Sequence, residues 1–136
     1  MTGMAHDEVL GELEQGPFSA ALRLKIEASG EGDVTVRMPF GEHILNAGGP
    51  GVPIHGGAIA ALADFAACAA VWTMPETRSS ATISMTVNYI APAVKTDLVA
   101  RARVRRAGKR IASIAVEIRD HQGALVADAL VTYKIV

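Results

Sequence analysis

The sequence predicts an α+β fold in which one helix is buried by an antiparallel sheet. Residues 58–72 are apolar on every helical face except at Asp64, and a helix without a polar face belongs in a protein interior. Stretches rich in β-branched residues, with alternating apolar and polar positions, lie on both sides of it and are typical of strands. A curved antiparallel sheet wrapped around the helix buries it best.

Each element has its own local signal. A short helix ends at Gly16-Pro17, a hairpin turns at Ser29-Gly30-Glu31-Gly32, and the central helix ends before Pro75. A loop dense in glycine and proline precedes the central helix and is expected at the surface. In chain order we predict a helix over 8–15, strands over 21–28 and 33–39, the loop over 41–54, the helix, and strands over 80–90, 97–106, 110–118 and 125–135.

Composition limits the class of protein. With 136 residues, the chain is expected to form one domain over residues 1–136. The net charge of −1 gives no reason to expect nucleic acid or an anionic membrane as a partner. A single cysteine fits a reducing compartment, and the acidic first residues are unlike a signal peptide. We therefore expect a cytoplasmic protein that does not act at a membrane.

The central helix carries the candidate site. Asp64 is an acid on an otherwise apolar helix, and His55-Gly56-Gly57 precedes that helix, where glycines leave backbone N–H groups open to a polarised oxygen. Gly56 and Asp64 lie roughly 12 Å apart along the axis, so one chain cannot bring both to one reacting atom. A second copy whose helix runs antiparallel would do so, which predicts a two-fold dimer with two equivalent sites.

Three motifs carry a resemblance to a known family. They are His55-Gly56-Gly57, the following Leu62-Ala63-Asp64, and Asn88-Tyr89-Ile90-Ala91-Pro92-Ala93. Together they resemble the hotdog-fold acyl-CoA thioesterases of the PaaI type, related to phenylacetic acid degradation. The resemblance implies a curved antiparallel sheet around one long helix, and hydrolysis of acyl-CoA to free acid and CoA at a dimer interface. It also implies a homotetramer and no cofactor, because coenzyme A is part of the substrate.

The resemblance also implies roles for individual residues. Asp64 is the nucleophile or the general base, Gly56 donates its N–H to the thioester oxygen, and His55 orders the loop. Asn46 positions the water or the thioester, and Thr82 stands where the family often has a hydroxyl near the acid. The family usually has its loop asparagine six residues before the histidine, whereas Asn46 lies nine before. An insertion within residues 49–53 would explain this difference.

Substrate contacts are expected at two further places. By the resemblance, Gly57 is expected to adjoin the thioester. A basic cluster lies around one turn and comprises Arg101, Arg103, Arg105, Arg106, Lys109 and Arg110; of these, Arg106, Lys109 and Arg110 suit the phosphates of coenzyme A. The alternative for this cluster is a solvated face balanced by acids. Small residues at Ala58, Ala61 and Ala67 leave room for an aryl or medium-chain acyl group. No spaced set of metal ligands is present in the sequence, so no metal is expected.

Other interpretations remain open at this point. Asp64 could be a structural acid paired with an arginine from a neighbouring strand. A hotdog dehydratase of 3-hydroxyacyl thioesters would use a histidine as base beside an acid. A non-catalytic acyl-CoA-binding protein would keep the dimer without the chemistry, and would tolerate Asp64→Asn.

Overall fold

A computed structural model describes residues 6–136, which form three α-helices and one six-stranded antiparallel sheet. The α+β prediction is confirmed. In chain order the elements are α1 (His6–Gln15), α2 (Pro17–Ala21), β1 (Lys25–Gly30), β2 (Asp33–Met38), a 3₁₀ turn (Glu42–Ile44), α3 (Gly56–Trp72), β3 (Ser80–Tyr89), β4 (Leu98–Ala107), β5 (Ile111–Arg119) and β6 (Leu125–Ile135).

The strand order in the sheet is β1-β2-β4-β5-β6-β3. β3 therefore leaves its chain neighbour β4 and lies at the far edge, where it pairs only with β6. The opposite edge is β1, which pairs with β2. β3 thus has an open long side, ten residues in length and without a charged residue.

The core lies between α3 and the concave face of the sheet. Alternate residues of each inner strand point towards α3, as the period of two predicts. Those that are fully buried there include Val34, Val36, Met38, Leu98, Ala100, Ala102, Ile114, Val116, Ile118, Ala127, Val131 and Tyr133. Scarce aromatic residues and abundant alanine let the sheet approach the helix closely.

One stripe of α3 is left partly open. It comprises Gly57, the adjacent Ala60 and Ala61, Asp64 and Cys68, which come from successive turns three or four residues apart and are not fully buried. All of them except Asp64 are small. The sheet covers the side of α3 opposite to this stripe. One chain therefore buries only part of the apolar surface of the helix. Ala58 and Ala67, which the sequence assigned to the acyl tunnel, are instead buried in the core of the same protomer.

The structure differs from the sequence prediction mainly before β1. Ala21, predicted as the first residue of a strand over 21–28, is instead the last residue of α2, where Pro17 stands at the first helical position, a place that proline favours. The chain then turns through Arg23, whose φ of 59° is left-handed, and β1 begins only at Lys25. The remaining predicted elements agree with the observed bounds to within about two residues.

Candidate active site

The first half of the site is the N-terminus of α3. His55 is the N-cap: its Nδ1 accepts the N–H of Gly57 at 2.7 Å, and its carbonyl accepts the N–H groups of Ala58 and Ile59. Within the described part of the chain, the N–H of Gly56 donates to no protein acceptor. The arrangement leaves one amide donor at the positive end of the helix dipole, where an anionic oxygen is stabilised.

Tyr89 fixes the backbone at this helix start. Its hydroxyl donates to the carbonyl of Gly56 at 2.8 Å, and its ring lies 3.4 Å from where a Cβ on Gly56 would stand. A shallow cavity of about 300 Å³ opens beside these two residues, lined mainly by apolar side chains that include Ile54, Ile59 and Ile90. The free amide of Gly56 is thus next to an apolar wall.

The second half of the site is the carboxylate of Asp64. Its Oδ1 accepts two hydroxyl hydrogen bonds, from Thr82 Oγ1 at 2.8 Å and from Tyr133 at 2.7 Å. All ion pairs among residues 6–136 lie elsewhere, so no arginine or lysine neutralises Asp64. The interpretation of Asp64 as a structural partner of an arginine is therefore wrong.

The sheet register brings the two hydroxyl donors together. Thr82 of β3 and Tyr133 of β6 are directly paired across the antiparallel ladder, so both side chains point to the same face. β3 runs antiparallel to α3: Ser80, at its start, bonds to Trp72, and Tyr89, at its end, bonds to Gly56. One strand therefore spans both halves of the site, which lie roughly 12 Å apart along the helix.

Asn46 lies near the helix start despite its nine-residue separation from His55. The backbone pairs across the loop, with His55 N–H donating to Ile44 O at 2.7 Å and Asn46 N–H donating to Pro53 O at 3.1 Å. Residues 47–52 therefore form a loop closed by this pairing, which is the shape that an insertion would have. The Asn46 side chain is exposed and contacts neither His55 nor Asp64 through a hydrogen bond among the described residues.

The basic cluster divides into two groups. Arg101 and Arg103 pair with Asp33 on the outer face of the sheet, so the alternative of a balanced solvated face is correct for that part. Arg106, Lys109 and Arg110 at the β4–β5 hairpin form no ion pair in residues 6–136, and they line an open groove of about 600 Å³. This groove keeps its positive charge available for an anion.

The hairpin lies at the Asp64 end of the sheet. Ala112 pairs with Tyr133, and Ile135 N–H donates to Arg110 O at 2.8 Å. Arg110 is therefore two residues, or roughly 7 Å, along the strand from the pair that holds Asp64.

Tyr133 is the site residue that the sequence reasoning missed. Tyr133 lies two residues after Val131 and therefore on the same, buried face of β6. This position in the sequence could have indicated it, because a buried tyrosine hydroxyl usually needs a hydrogen-bond partner. Burial raises the pKa of the Tyr133 phenol far above its usual range, and the hydrogen bond to Asp64 acts in the same direction. Burial likewise raises the pKa of the Cys68 thiol, one turn from Asp64. Both groups remain protonated at neutral pH.

Comparison with known proteins places this arrangement in a family. Residues 54–127, more than half of the chain, match the model of the thioesterase superfamily. The chain belongs to the thioesterase superfamily. The matched segment begins just before the helix start and contains Asp64, Thr82 and Tyr89, while Tyr133 lies beyond it. The prediction of a thioester hydrolase is confirmed at this level.

Individual relatives agree with this assignment. A Halobacterium salinarum protein described as a "Putative esterase" is 32% identical over 118 residues, which cover 82% of this chain and 78% of the relative. The Escherichia coli PaaI protein from the phenylacetic acid degradation operon superposes with a TM-score of 0.83 at 25% identity, covering 96% of this chain and 91% of PaaI. The predicted resemblance and the hotdog architecture are thus confirmed.

A second solved structure extends the comparison of folds. A hypothetical thioesterase from Streptococcus pneumoniae, solved with coenzyme A, superposes with a TM-score of 0.82 at 21% identity, covering 93% of this chain and 96% of that protein. At this identity the likeness concerns the fold.

No helix within residues 6–136 is long and apolar enough to cross a bilayer. No three His, Cys, Asp or Glu side chains in this range come together as metal ligands would. Within residues 6–136 the site presents the Asp64 carboxylate, which two hydroxyls hold, and the amide of Gly56.

Proposed function

We propose that the protein hydrolyses acyl-CoA thioesters to the free acid and CoA, with Asp64 as the reacting carboxylate. The observation that carries this proposal is the environment of Asp64. Among residues 6–136, two hydroxyl donors and no cation hold its carboxylate on the open stripe of α3. Hydroxyl donors orient a carboxylate without neutralising its charge, as a base or a nucleophile requires.

The site would be completed by a second copy of the chain. β3 offers an open edge with an exposed Ile83 and no charged residue, whereas an edge strand that stays unpaired is usually short or protected by charges. The adjoining stripe of α3 has only small residues around Asp64, which allows a second helix to approach closely. Antiparallel pairing of β3 with β3 of the partner would cover both surfaces in one two-fold interface.

This pairing would also join the two halves of the site. Because β3 runs from the Asp64 half to the Gly56 half, antiparallel pairing sets the end of one β3 beside the start of the other. The amide of Gly56 of the partner subunit would then face Asp64. Each dimer would contain two equivalent sites, and two dimers would form the tetramer.

Two chemical routes use the same atoms. In the first, Asp64 attacks the thioester carbonyl carbon, the C–S bond breaks with release of the CoA thiolate, and water hydrolyses the mixed anhydride. In the second, Asp64 takes a proton from water, whose oxygen attacks that carbon and expels the thiolate. In both, the amide of Gly56 would stabilise the negative charge that develops on the carbonyl oxygen, and one such donor is worth about 10²–10³ in rate.

The substrate would extend over two surfaces. The phosphates of coenzyme A would bind the hairpin cations Arg106, Lys109 and Arg110, which form no ion pair with the described residues and lie at the same end of the sheet as Asp64. The acyl group would lie between the two α3 helices, where Ala60 and Ala61 of the open stripe leave space. We favour an aryl or medium-chain acyl group and a cytoplasmic enzyme, while Gly57 would adjoin the thioester at the helix start.

The test is release of free thiol from a panel of aryl-, short-, medium- and long-chain acyl-CoAs, by the wild type and by Asp64→Asn. We expect turnover by the wild type and a loss of at least about 100-fold in kcat/KM for Asp64→Asn, at unchanged oligomeric state. CoA esters that bind without turnover would instead indicate a binding protein. Hydration of enoyl-CoA without hydrolysis would indicate a dehydratase.

A further inference from the structure

Tyr133 contacts Asp64 at two atoms, whereas Thr82 contacts it at one. Its side chain is only 2% exposed, and its hydroxyl lies 2.7 Å from Oδ1 and 3.0 Å from the backbone carbonyl oxygen of Asp64. One hydroxyl therefore contacts both the side chain and the main chain of the same residue. Because β6 is flanked by β5 on one side and β3 on the other, this hydroxyl is held by the interior of the sheet.

The two oxygens of the carboxylate are not equivalent. Oδ1 accepts from both Thr82 and Tyr133, whereas no donor among residues 6–136 bonds to Oδ2. No buried side-chain oxygen or nitrogen in this range lacks a hydrogen-bond partner. Since Oδ2 has none, it is not fully buried, and it belongs to a residue of the partly open stripe of α3.

We propose that Tyr133 is a positioning residue for the hydrolysis, which with Thr82 anchors Oδ1 so that Oδ2 is the oxygen that acts on the thioester or on water. The proposal rests on the function proposed above. It holds for both routes, because either one needs a single carboxylate oxygen aimed at the reacting atoms.

Thr82 alone would not fix this orientation. The terminal torsion of an aspartate rotates over a broad range, and a single hydrogen bond from an edge strand leaves that rotation partly free. Tyr133 adds a second anchor from inside the sheet, and its link to the backbone of Asp64 sets the distance to the helix. The raised pKa of the phenol keeps it a donor, so it does not compete with Asp64 for the proton of water.

The experiment compares steady-state kinetics of Tyr133→Phe with those of the wild type on the best acyl-CoA of the panel. A hydrogen bond to a charged acceptor is lost, so we expect kcat to fall about 10- to 100-fold while KM stays within about three-fold. Thr77→Val is the matched control. It removes a hydroxyl that donates to Val71 O at 2.9 Å, at the far end of α3, and should leave both constants unchanged.

A second pair of variants separates positioning from folding. Replacing Tyr133 by 4-aminophenylalanine keeps a donor at the same place and should hold kcat within about five-fold of the wild type. Replacing it by 4-methylphenylalanine fills the same volume without a donor and should reproduce the loss seen with phenylalanine. In an Asp64→Asn background, Tyr133→Phe should cause no further loss, because Tyr133 acts through Asp64.

The outcomes are distinct. Unchanged kcat in Tyr133→Phe, with an active wild type, would overturn the positioning role and leave the thioesterase proposal standing. Equal loss with the amino and methyl analogues would also overturn it, because packing rather than the donor would then matter. A wild type that hydrolyses no thioester in the panel would overturn both proposals.

Discussion

The hydroxyl of Tyr89 donates to the carbonyl of Gly56 at 2.8 Å, so the last residue of β3 is tied to the first residue of α3. This bond has a consequence for the assembly. A strand that pairs with the open edge of β3 also approaches the start of α3 and the N–H of Gly56. In the proposed dimer, strand pairing and completion of the active site are therefore one event.

The amide of Gly56 can be removed without removing the helix. Gly56 is the first residue of α3, where proline is tolerated, and His55 before it has the extended ψ of 133° that a following proline prefers. We expect Gly56→Pro to lower kcat about 10²–10³-fold with the helical circular dichroism retained. Gly56→Ala is the control: its methyl would lie 3.4 Å from the Tyr89 ring but the N–H remains, so kcat should stay within about ten-fold. Equal losses in both variants would contradict the donor role.

A charge on the open edge should separate the subunits. Ile83 of β3 is 54% exposed in the single chain and would lie in the proposed interface. We expect Ile83→Lys to be monomeric by light scattering and inactive on acyl-CoA, while its folded circular dichroism is kept. Phe18→Lys, on α2 and 69% exposed, is the matched control and should remain oligomeric and active. An active monomer of Ile83→Lys would rule out a site shared between subunits.

The hairpin cations should affect only substrates that carry a nucleotide. We expect the double variant Lys109→Ala with Arg110→Ala to raise KM for acyl-CoA about ten-fold and to leave kcat nearly unchanged. The same acyl group on N-acetylcysteamine lacks the phosphates, and its KM should not change. Arg119→Ala, which removes an arginine already paired with Glu117, is the control. A rise in KM for both thioesters would argue against phosphate binding at the hairpin.

Tyr133 should titrate only when the protein unfolds. Its phenol has a pKa raised by burial, so the folded state holds a proton that the unfolded chain releases above about pH 10. Stability from this group is complete below that pH and is lost as the pH rises, by up to about 1.4 kcal/mol per unit. The chain has two tyrosines, so the Tyr89→Phe variant isolates Tyr133. Phenolate absorbance of this variant should be absent at pH 10.5 when folded and present in denaturant. Phenolate formation in the folded protein would contradict the buried contact with Asp64.

Local signals in the sequence predicted the parts of the structure that local interactions decide. Alanine-rich residues 58–72 and the following alternating strands were recognised correctly, because helix propensity and strand period act over a few residues. The five-residue α2 was missed since so short a helix depends on its surroundings. Asp64 and its motif were found because an acid in an apolar helix is conspicuous.

The relation between Tyr133 and Asp64 could not be predicted in the same way. It depends on the pairing of β6 with β3, which brings Tyr133 opposite Thr82, 51 residues away in the chain, only because β3 crosses to the far edge of the sheet. The division of the arginines likewise needed the register, which sets Asp33 opposite Arg103 and beside Arg101 and leaves the hairpin cations unpaired. Strand order, rather than any local pattern, decides both.

In the proposed dimer Asp64 of one subunit works with Gly56 of the other, and mixing two inactive variants distinguishes this shared site from a site within one chain. Asp64→Asn and Gly56→Pro would be unfolded together, refolded as a mixture and assayed for thiol release. Half of the dimers would be hybrids, each with one site that keeps both residues, so we expect about a quarter of wild-type activity to return. If the mixture stays as inactive as either variant alone, although the subunits have exchanged, the site lies within one chain and is not shared between subunits.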